Sequence, residues 1–405
     1  MHRTAEWPRR AVRRLAGAFF ALLPAAALAG SPATYDFTAK GNVAGHPAFD
    51  ASRGFGFEPD SPNAFSVSAP EGNYRVVVEV GARKKDAALT IMAEQRRLMT
   101  QRLVVKRRHT QTVSFIVNVR TPELGPLPAN ATGGIRVQLK PREIGARNWD
   151  EKLTLIFEGD LDAVRAVTIV PATTPTLYLA GDSTVTDQQA APNGSWGQKL
   201  PGFFTDGIAV ANHAESGETL KSFVTELRLD KLLSKLSAGD WVMMQFGHND
   251  QKTQWPQTYV DAALTYRSWL RTYIAEIRRR GATPILVSSP DRRNFDAAGK
   301  ITSTLGEYPQ AMREVAREEG VAFIDLNAMS HRFYEALGPD VSPRAFADGG
   351  KDKTHFNDYG GYALARCVVE GLRTADPRLT AALETHLAAN AGRFDPDHPD
   401  PPPAQ

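Results

Sequence analysis

The chain has 405 residues, 42% of them hydrophobic and 23% charged, with a formal net charge of +3. That length exceeds what one core usually fills, so two folding units are expected, and the small charge excess excludes the strongly basic surface of a nucleic-acid-binding protein. A lone cysteine, Cys367, excludes an intrachain disulfide and any multi-cysteine metal site.

In chain order, Arg3, Arg9, Arg10, Arg13 and Arg14 precede an apolar run from Leu15 to Leu23, and Ala27-Leu28-Ala29 follows. A charged start, a short apolar centre and small residues at the end describe a cleavable export signal over residues 1–29. The run is too short to span a bilayer, which takes about 20 apolar residues. The paired arginines fit twin-arginine export as well as the general route. Its removal takes away five Arg and one Glu, so the charge falls from +3 to −1. The mature protein is expected in the periplasm or outside the cell, without membrane attachment.

Residues 31–172 carry short β segments separated by Gly, Pro and Asn. Strands are predicted in Phe65–Ser68, Tyr74–Val80, Ala88–Glu94, Thr112–Val119, Ile135–Leu139 and Leu153–Glu158. Many short strands with turn signals and no helix between them indicate an all-β, jelly-roll-like sandwich. Basic residues recur across it, at Arg83-Lys84-Lys85, Arg96-Arg97 and Lys106-Arg107-Arg108; they read as a solvated sheet face that would also suit an acidic polysaccharide.

A seam is expected at Thr173-Thr174-Pro175, because residues 175–391 change to buried strands alternating with amphipathic helices. Strands are predicted at Thr176–Ala180, Ile208–Asn212, Trp241–Phe246, Pro284–Ser288 and Ala322–Leu326. Helices are predicted at Val224–Leu236, Tyr259–Arg280, Tyr308–Glu319 and Asp358–Leu372. This rhythm gives an α/β fold with a central five-stranded parallel sheet covered on both faces. Residues 392–405 are polar and Pro-rich, and a disordered tail is expected.

The chemistry-bearing residues fall at the carboxyl ends of the predicted strands, where open α/β sheets bind ligands. Ser183, in Gly181-Asp182-Ser183, ends the first and is the candidate nucleophile. Gly217 follows the second, and Asn249, in Gly247-His248-Asn249-Asp250, follows the third. His355, in Asp352-Lys353-Thr354-His355, precedes the last helix. A serine hydroxyl needs a base, which His355 supplies, and a carboxylate to fix the imidazole tautomer, which Asp352 supplies. Asp348 and Asp358 are alternative carboxylates. The backbone N–H groups of Ser183 and Gly217 and the Asn249 amide form a candidate oxyanion hole. Trp196, His248 and Trp255 are candidate substrate-binding residues beside these motifs. No metal or other cofactor is called for.

This ordered set resembles the SGNH, or GDSL-type, hydrolases, whose four blocks centre on Ser, Gly, Asn and His. The resemblance implies a flavodoxin-like, three-layer catalytic domain and a metal-independent Ser-His-Asp mechanism. No Gly-x-Ser-x-Gly occurs, which argues against the α/β-hydrolase route. Within the superfamily, Leu179-Ala-Gly-Asp-Ser-Thr-Val, Ser195-Trp-Gly-Gln, Phe246-Gly-His-Asn-Asp and Lys353-Thr-His-Phe-Asn are similar to the rhamnogalacturonan acetylesterases, carbohydrate esterase family 12. The β-region resembles the galactose-binding-like sandwich of longer bacterial members. One departure is Glu218-Thr219, where relatives often carry Arg-Ser. The resemblance implies an exported serine esterase that removes O-acetyl groups from an acetylated cell-wall polysaccharide or oligosaccharide, foremost pectic rhamnogalacturonan. Acetylated xylan, a lipid or thioester substrate, or an inactive carbohydrate-binding protein are the alternatives.

Overall fold

The computed structural model describes residues 32–38, 47–126, 129–130 and 133–403. The export signal expected at residues 1–29 lies outside the described residues. No helix among the described residues is long and apolar enough to cross a membrane.

Two antiparallel sheets make up the N-terminal half. Its strands are β1 (Ala33–Asp36), β2 (Phe55–Glu58), β3 (Ser61–Ser68), β4 (Gly72–Gly81), β5 (Ala87–Ala93), β6 (Arg97–Val105), β7 (Thr110–Val119), β8 (Lys152–Gly159) and β9 (Val164–Pro171). One sheet has the order β1-β9-β4-β7, the other β2-β3-β8-β5-β6. In β4, Tyr74, Val76, Val78 and Val80 are buried while Arg75 and Glu79 are exposed, the period-two pattern of a sheet with one dry face. These side chains meet Phe65, Val67, Leu89, Ile91, Leu155 and Phe157 from the other sheet.

Strand β8 departs from that pattern, since Leu153 to Phe157 are all buried. Its second face is covered as well: Ile156 packs with Ala64, Met92 and Leu98, and Tyr362 of the C-terminal half lies against them. The sandwich is therefore seated on the α/β half through an apolar patch.

Ile135–Leu139 is not a strand. It makes one isolated bridge, Glu123 to Arg136, and Ile135 stays exposed. Instead of joining a sheet it runs toward the C-terminal half, where the Gln138 N–H donates to Glu226 O at 3.0 Å.

The C-terminal half begins with β10 (Thr176–Gly181) and a two-residue strand, β11 (Asn193–Gly194). It continues with β12 (Ala209–Asn212), β13 (Trp241–Gln245), β14 (Thr283–Val287), β15 (Ala322–Ile324) and the short β16 (Phe356–Asn357). Strands β12-β10-β13-β14-β15 form one five-stranded sheet in that order, and every pairing in it is parallel. Its helices are α1 (Trp196–Lys199), α2 (Leu220–Thr225), α3 (Arg228–Lys235), α4 (Thr265–Arg279), α5 (Tyr308–Glu319), α6 (Leu326–Val341), α7 (Asp358–Thr374) and α8 (Pro377–Glu384). Leu177 and Leu179 of β10 pack on one face with α6, α7 and α8, whereas Tyr178 and Ala180 pack on the other with α2 to α5. Alternate side chains thus serve two helix layers, which is why the strand reads as continuously apolar.

The helix expected over Val224–Leu236 is broken into α2 and α3. Leu227 sits between them at φ 62°, a left-handed conformation that interrupts a helix. The helix expected from Tyr259 starts only at Thr265, because Asp261 Oδ1 accepts from the Ala263 and Leu264 N–H groups in a turn.

Residues 392–403 also pack against the C-terminal half, where a disordered tail was expected. Phe394 is buried, with Arg366 stacked over its ring at 4.3 Å. The Tyr359 hydroxyl donates to Asp400 O at 2.6 Å, and Arg332 Nε donates to Asp397 at 2.9 Å. One aromatic anchor and pairing of the tail's carboxylates offset the ordering entropy that composition alone would leave uncompensated.

Candidate active site

Strand β10 ends in a tight turn. A Cβ on Gly181 would lie 2.6 Å from Val185 Cγ2 and 2.8 Å from Gln245 O, so only glycine lets the chain close here. The Val185 and Thr186 N–H groups both donate to Asp182 O at 3.0 Å. This turn carries Ser183 at the carboxyl edge of the sheet.

His355 reaches the same edge from the loop before α7. Its Nε2 lies 2.9 Å from Ser183 Oγ, and its Nδ1 lies 2.7 Å from Asp352 Oδ2. The other Asp352 oxygen accepts from the Thr354 and His355 N–H groups, at 2.7 and 2.9 Å. Partial burial pushes the Asp352 carboxyl up, but the His355 and Thr354 bonds outweigh it and hold the group below its ordinary value. Asp358 is engaged elsewhere, 2.6 Å from Lys199 and 3.1 Å from Arg96. Asp348 is exposed, in a turn. Of the three carboxylates expected to compete, Asp352 is the one bonded to His355.

Gly217 and Asn249 stand on neighbouring loops. Gly217 is exposed, with φ 86°, a conformation that favours glycine. Asn249 Nδ2 donates one hydrogen to Glu218 O at 3.1 Å, and Lys252 Nζ donates to Asn249 Oδ1 at 2.7 Å. The amide orientation is thereby fixed and one N–H remains for a ligand.

The three residues expected to bind substrate have different fates. Trp196 is fully buried, with its Nε1 donating to Gln245 Oε1 at 2.7 Å. It belongs to the core beneath the sheet edge, because its indole fills the space under the Ser183 turn. Trp196→Ala is expected to lower stability by about 3–5 kcal/mol, measured by urea unfolding. His248 is likewise enclosed: its Nε2 lies 2.8 Å from Pro290 O and its Nδ1 3.3 Å from Asp182 Oδ2. Trp255 is 49% exposed, with Lys252 Nζ 4.7 Å from its ring centroid, and is the one aromatic of the three open to solvent.

Sequence reasoning missed the groups behind these loops. Asp182 is fully buried, and burial pushes its carboxyl up, yet the adjacent His248 imidazole and two bonds from Thr184 hold it below its ordinary value. Asp250 is fully buried too and accepts from the Leu220 N–H at 2.9 Å; burial pushes it up to about 7. Gln188 Nε2 donates to Ser183 O at 2.7 Å.

The basic stretches of the sandwich split in the same way. Arg83, Lys84 and Lys85 are exposed, but Arg97 is buried against Asp187 at 2.6 Å. Asp187 also accepts from Asn212 Nδ2 at 2.8 Å. Arg96 and Arg97 therefore bind the C-terminal half of this chain, and do not form part of a solvated face. Removing one partner of such a buried pair costs about 3–5 kcal/mol.

Residues 179–363 match the GDSL-like lipase/acylhydrolase family. A rhamnogalacturonan acetylesterase of Bacillus subtilis is 39% identical over 230 residues, covering 54% of this chain and 96% of that one. A probable rhamnogalacturonan acetylesterase of the same organism is 35% identical, covering 51% and 96%. The crystal structure of another Bacillus subtilis protein aligns with 85% of this chain and 98% of its own, at TM-score 0.48 and 24% identity. Nearly the whole length of a relative at 39% identity is spanned by this chain, which therefore belongs to the GDSL-like lipase/acylhydrolase family and is a carboxylic ester hydrolase.

Proposed function

We propose that this protein is an exported acetylesterase that deacetylates plant cell-wall polysaccharide, foremost pectic rhamnogalacturonan. The observation that carries the mechanism is the continuous chain Ser183 Oγ to His355 Nε2 to Asp352, at 2.9 and 2.7 Å. Support for the substrate comes from the 39% identical relative named for that activity.

Ser183 Oγ attacks the acetyl carbonyl carbon while His355 Nε2 takes its proton, and Asp352 stabilises the imidazolium. The carbonyl oxygen, now an oxyanion, accepts from the Ser183 N–H, the Gly217 N–H and the Asn249 amide. His355 then returns the proton to the sugar oxygen as the C–O bond to the acyl carbon breaks, leaving acetyl-Ser183. Water, deprotonated by the same imidazole, attacks the acetyl carbon, and His355 then protonates Ser183 Oγ as its bond to that carbon breaks, releasing acetate and restoring the free serine.

Acetate release from acetylated rhamnogalacturonan and acetylated xylan, side by side, tests the substrate. The pectic polymer is expected to be the better substrate. A preference for xylan would overturn the substrate while leaving the mechanism standing.

A further inference from the structure

The loop that carries Gly217 is held by the N-terminal half of the chain. Lys140 and Arg142 lie on the segment that crosses from the sandwich. Lys140 Nζ donates to Ser216 O at 2.7 Å, and pairs with the fully buried Glu218 carboxylate. Arg142 Nε donates to Glu215 Oε1 at 2.7 Å, and its Nη2 donates to Ser216 O at 2.5 Å. Four contacts from outside the α/β half, to Glu215, Ser216 and Glu218, thus bracket Gly217 on both sides. A Cβ on Gly217 would lie 3.7 Å from Lys140 Nζ, so the ammonium faces the side of Gly217 from which a side chain would project.

Glu218 links this clamp to the second oxyanion donor. Its carbonyl accepts from Asn249 Nδ2 at 3.1 Å. Its carboxylate also faces Arg228 Nε at 3.5 Å and accepts from the Ser222 hydroxyl at 2.7 Å. The crossing segment is anchored in turn, because Glu143 pairs with buried Arg228 and accepts from the Lys140 N–H at 2.9 Å. Glu226 is the remaining charge nearby, 3.9 Å from Lys140 Nζ.

We infer that Lys140 of the N-terminal half is a positioning residue for the oxyanion hole, fixing the Gly217 N–H through Ser216 and the Asn249 amide through Glu218. The sandwich is then a working part of the catalytic centre of this chain. The inference rests on the assignment of Gly217 and Asn249 as oxyanion donors made above. Preorganised donors lose their effect when displaced, since about 1 Å of misplacement can cost on the order of 10²-fold in rate.

The test compares Lys140→Met, Lys140→Arg and the exposed control Lys106→Met by kcat and KM for 4-nitrophenyl acetate. Amide hydrogen exchange of the peptide spanning Glu215 to Thr219 is followed in the same proteins. Lys140→Met is expected to lower kcat roughly 10- to 100-fold with little change in KM, and to speed exchange in that peptide but not in the sandwich. Lys140→Arg should recover most of kcat, and Lys106→Met should match the wild type. Unchanged exchange in Lys140→Met would overturn the inference, as would faster exchange with unaltered kcat. A wild-type protein inactive on every acetate ester would sink the esterase reading instead; the exchange comparison then decides by itself whether Lys140 holds the loop.

Discussion

Replacing Ser183 by Ala is expected to lower kcat for acetate release by roughly 10⁶-fold, the scale on which loss of a serine nucleophile acts in triad enzymes. The change is confined to one atom. Ser183 Oγ is bonded to His355 Nε2, while the turn around it is held by backbone bonds to Asp182 O and by Gln188 at Ser183 O. The fold and KM are therefore expected to change little. A residual rate of about 10³–10⁴ over the uncatalysed reaction should persist, because the oxyanion donors and substrate contacts remain. Acetate assayed with the purified variant, alongside its thermal unfolding, checks both points. A loss under tenfold would mean that another group attacks the ester.

Asp352→Asn is expected to cost about 10⁴-fold in kcat at neutral pH. The carboxylate is bonded on both oxygens, to His355 Nδ1 by one and to two N–H groups by the other. An asparagine that preserves the two backbone bonds turns its NH₂ toward Nδ1. The imidazole then carries its proton on Nε2, and it cannot accept from Ser183. The Asp352 carboxyl is held below its ordinary value, so the wild-type orienting group stays ionised well into acid. The acidic limb of wild-type activity should accordingly show no step from the Asp352 carboxylate above its ordinary range. The pH profiles of kcat for the two proteins check this, and activity in Asp352→Asn within a few-fold of wild type would assign the orienting role elsewhere.

What could be read from the sequence depended on whether its cause was local. The parallel strands were legible because buried strands bounded by Gly and polar residues are short apolar runs. The helix Tyr308–Glu319 was legible from its spacing, and it ends at Gly320 in a left-handed conformation. Ser183, Asp352 and His355 were legible as residue types on loops after strands, and the structure brings all three into one hydrogen-bonded chain. The rest is set by contacts distant in the chain. Trp196 stands beside a motif serine, yet its indole is committed to Gln245, 49 residues away. Arg97 looks like one of many surface cations, and only the fold places it against Asp187. The Lys140 clamp is the extreme case, since Lys140 and Glu218 are 78 residues apart and nothing local announces either.

Covalent labelling with a fluorophosphonate, with the modified peptide located by mass spectrometry, tests Ser183 as the nucleophile most directly. One adduct is expected, on Ser183, formed in parallel with loss of acetate release. Labelling should be absent in Ser183→Ala and slowed in Asp352→Asn. Full acetate release from protein that resists the label, or an adduct on any other residue, would contradict the assignment of Ser183 as the nucleophile.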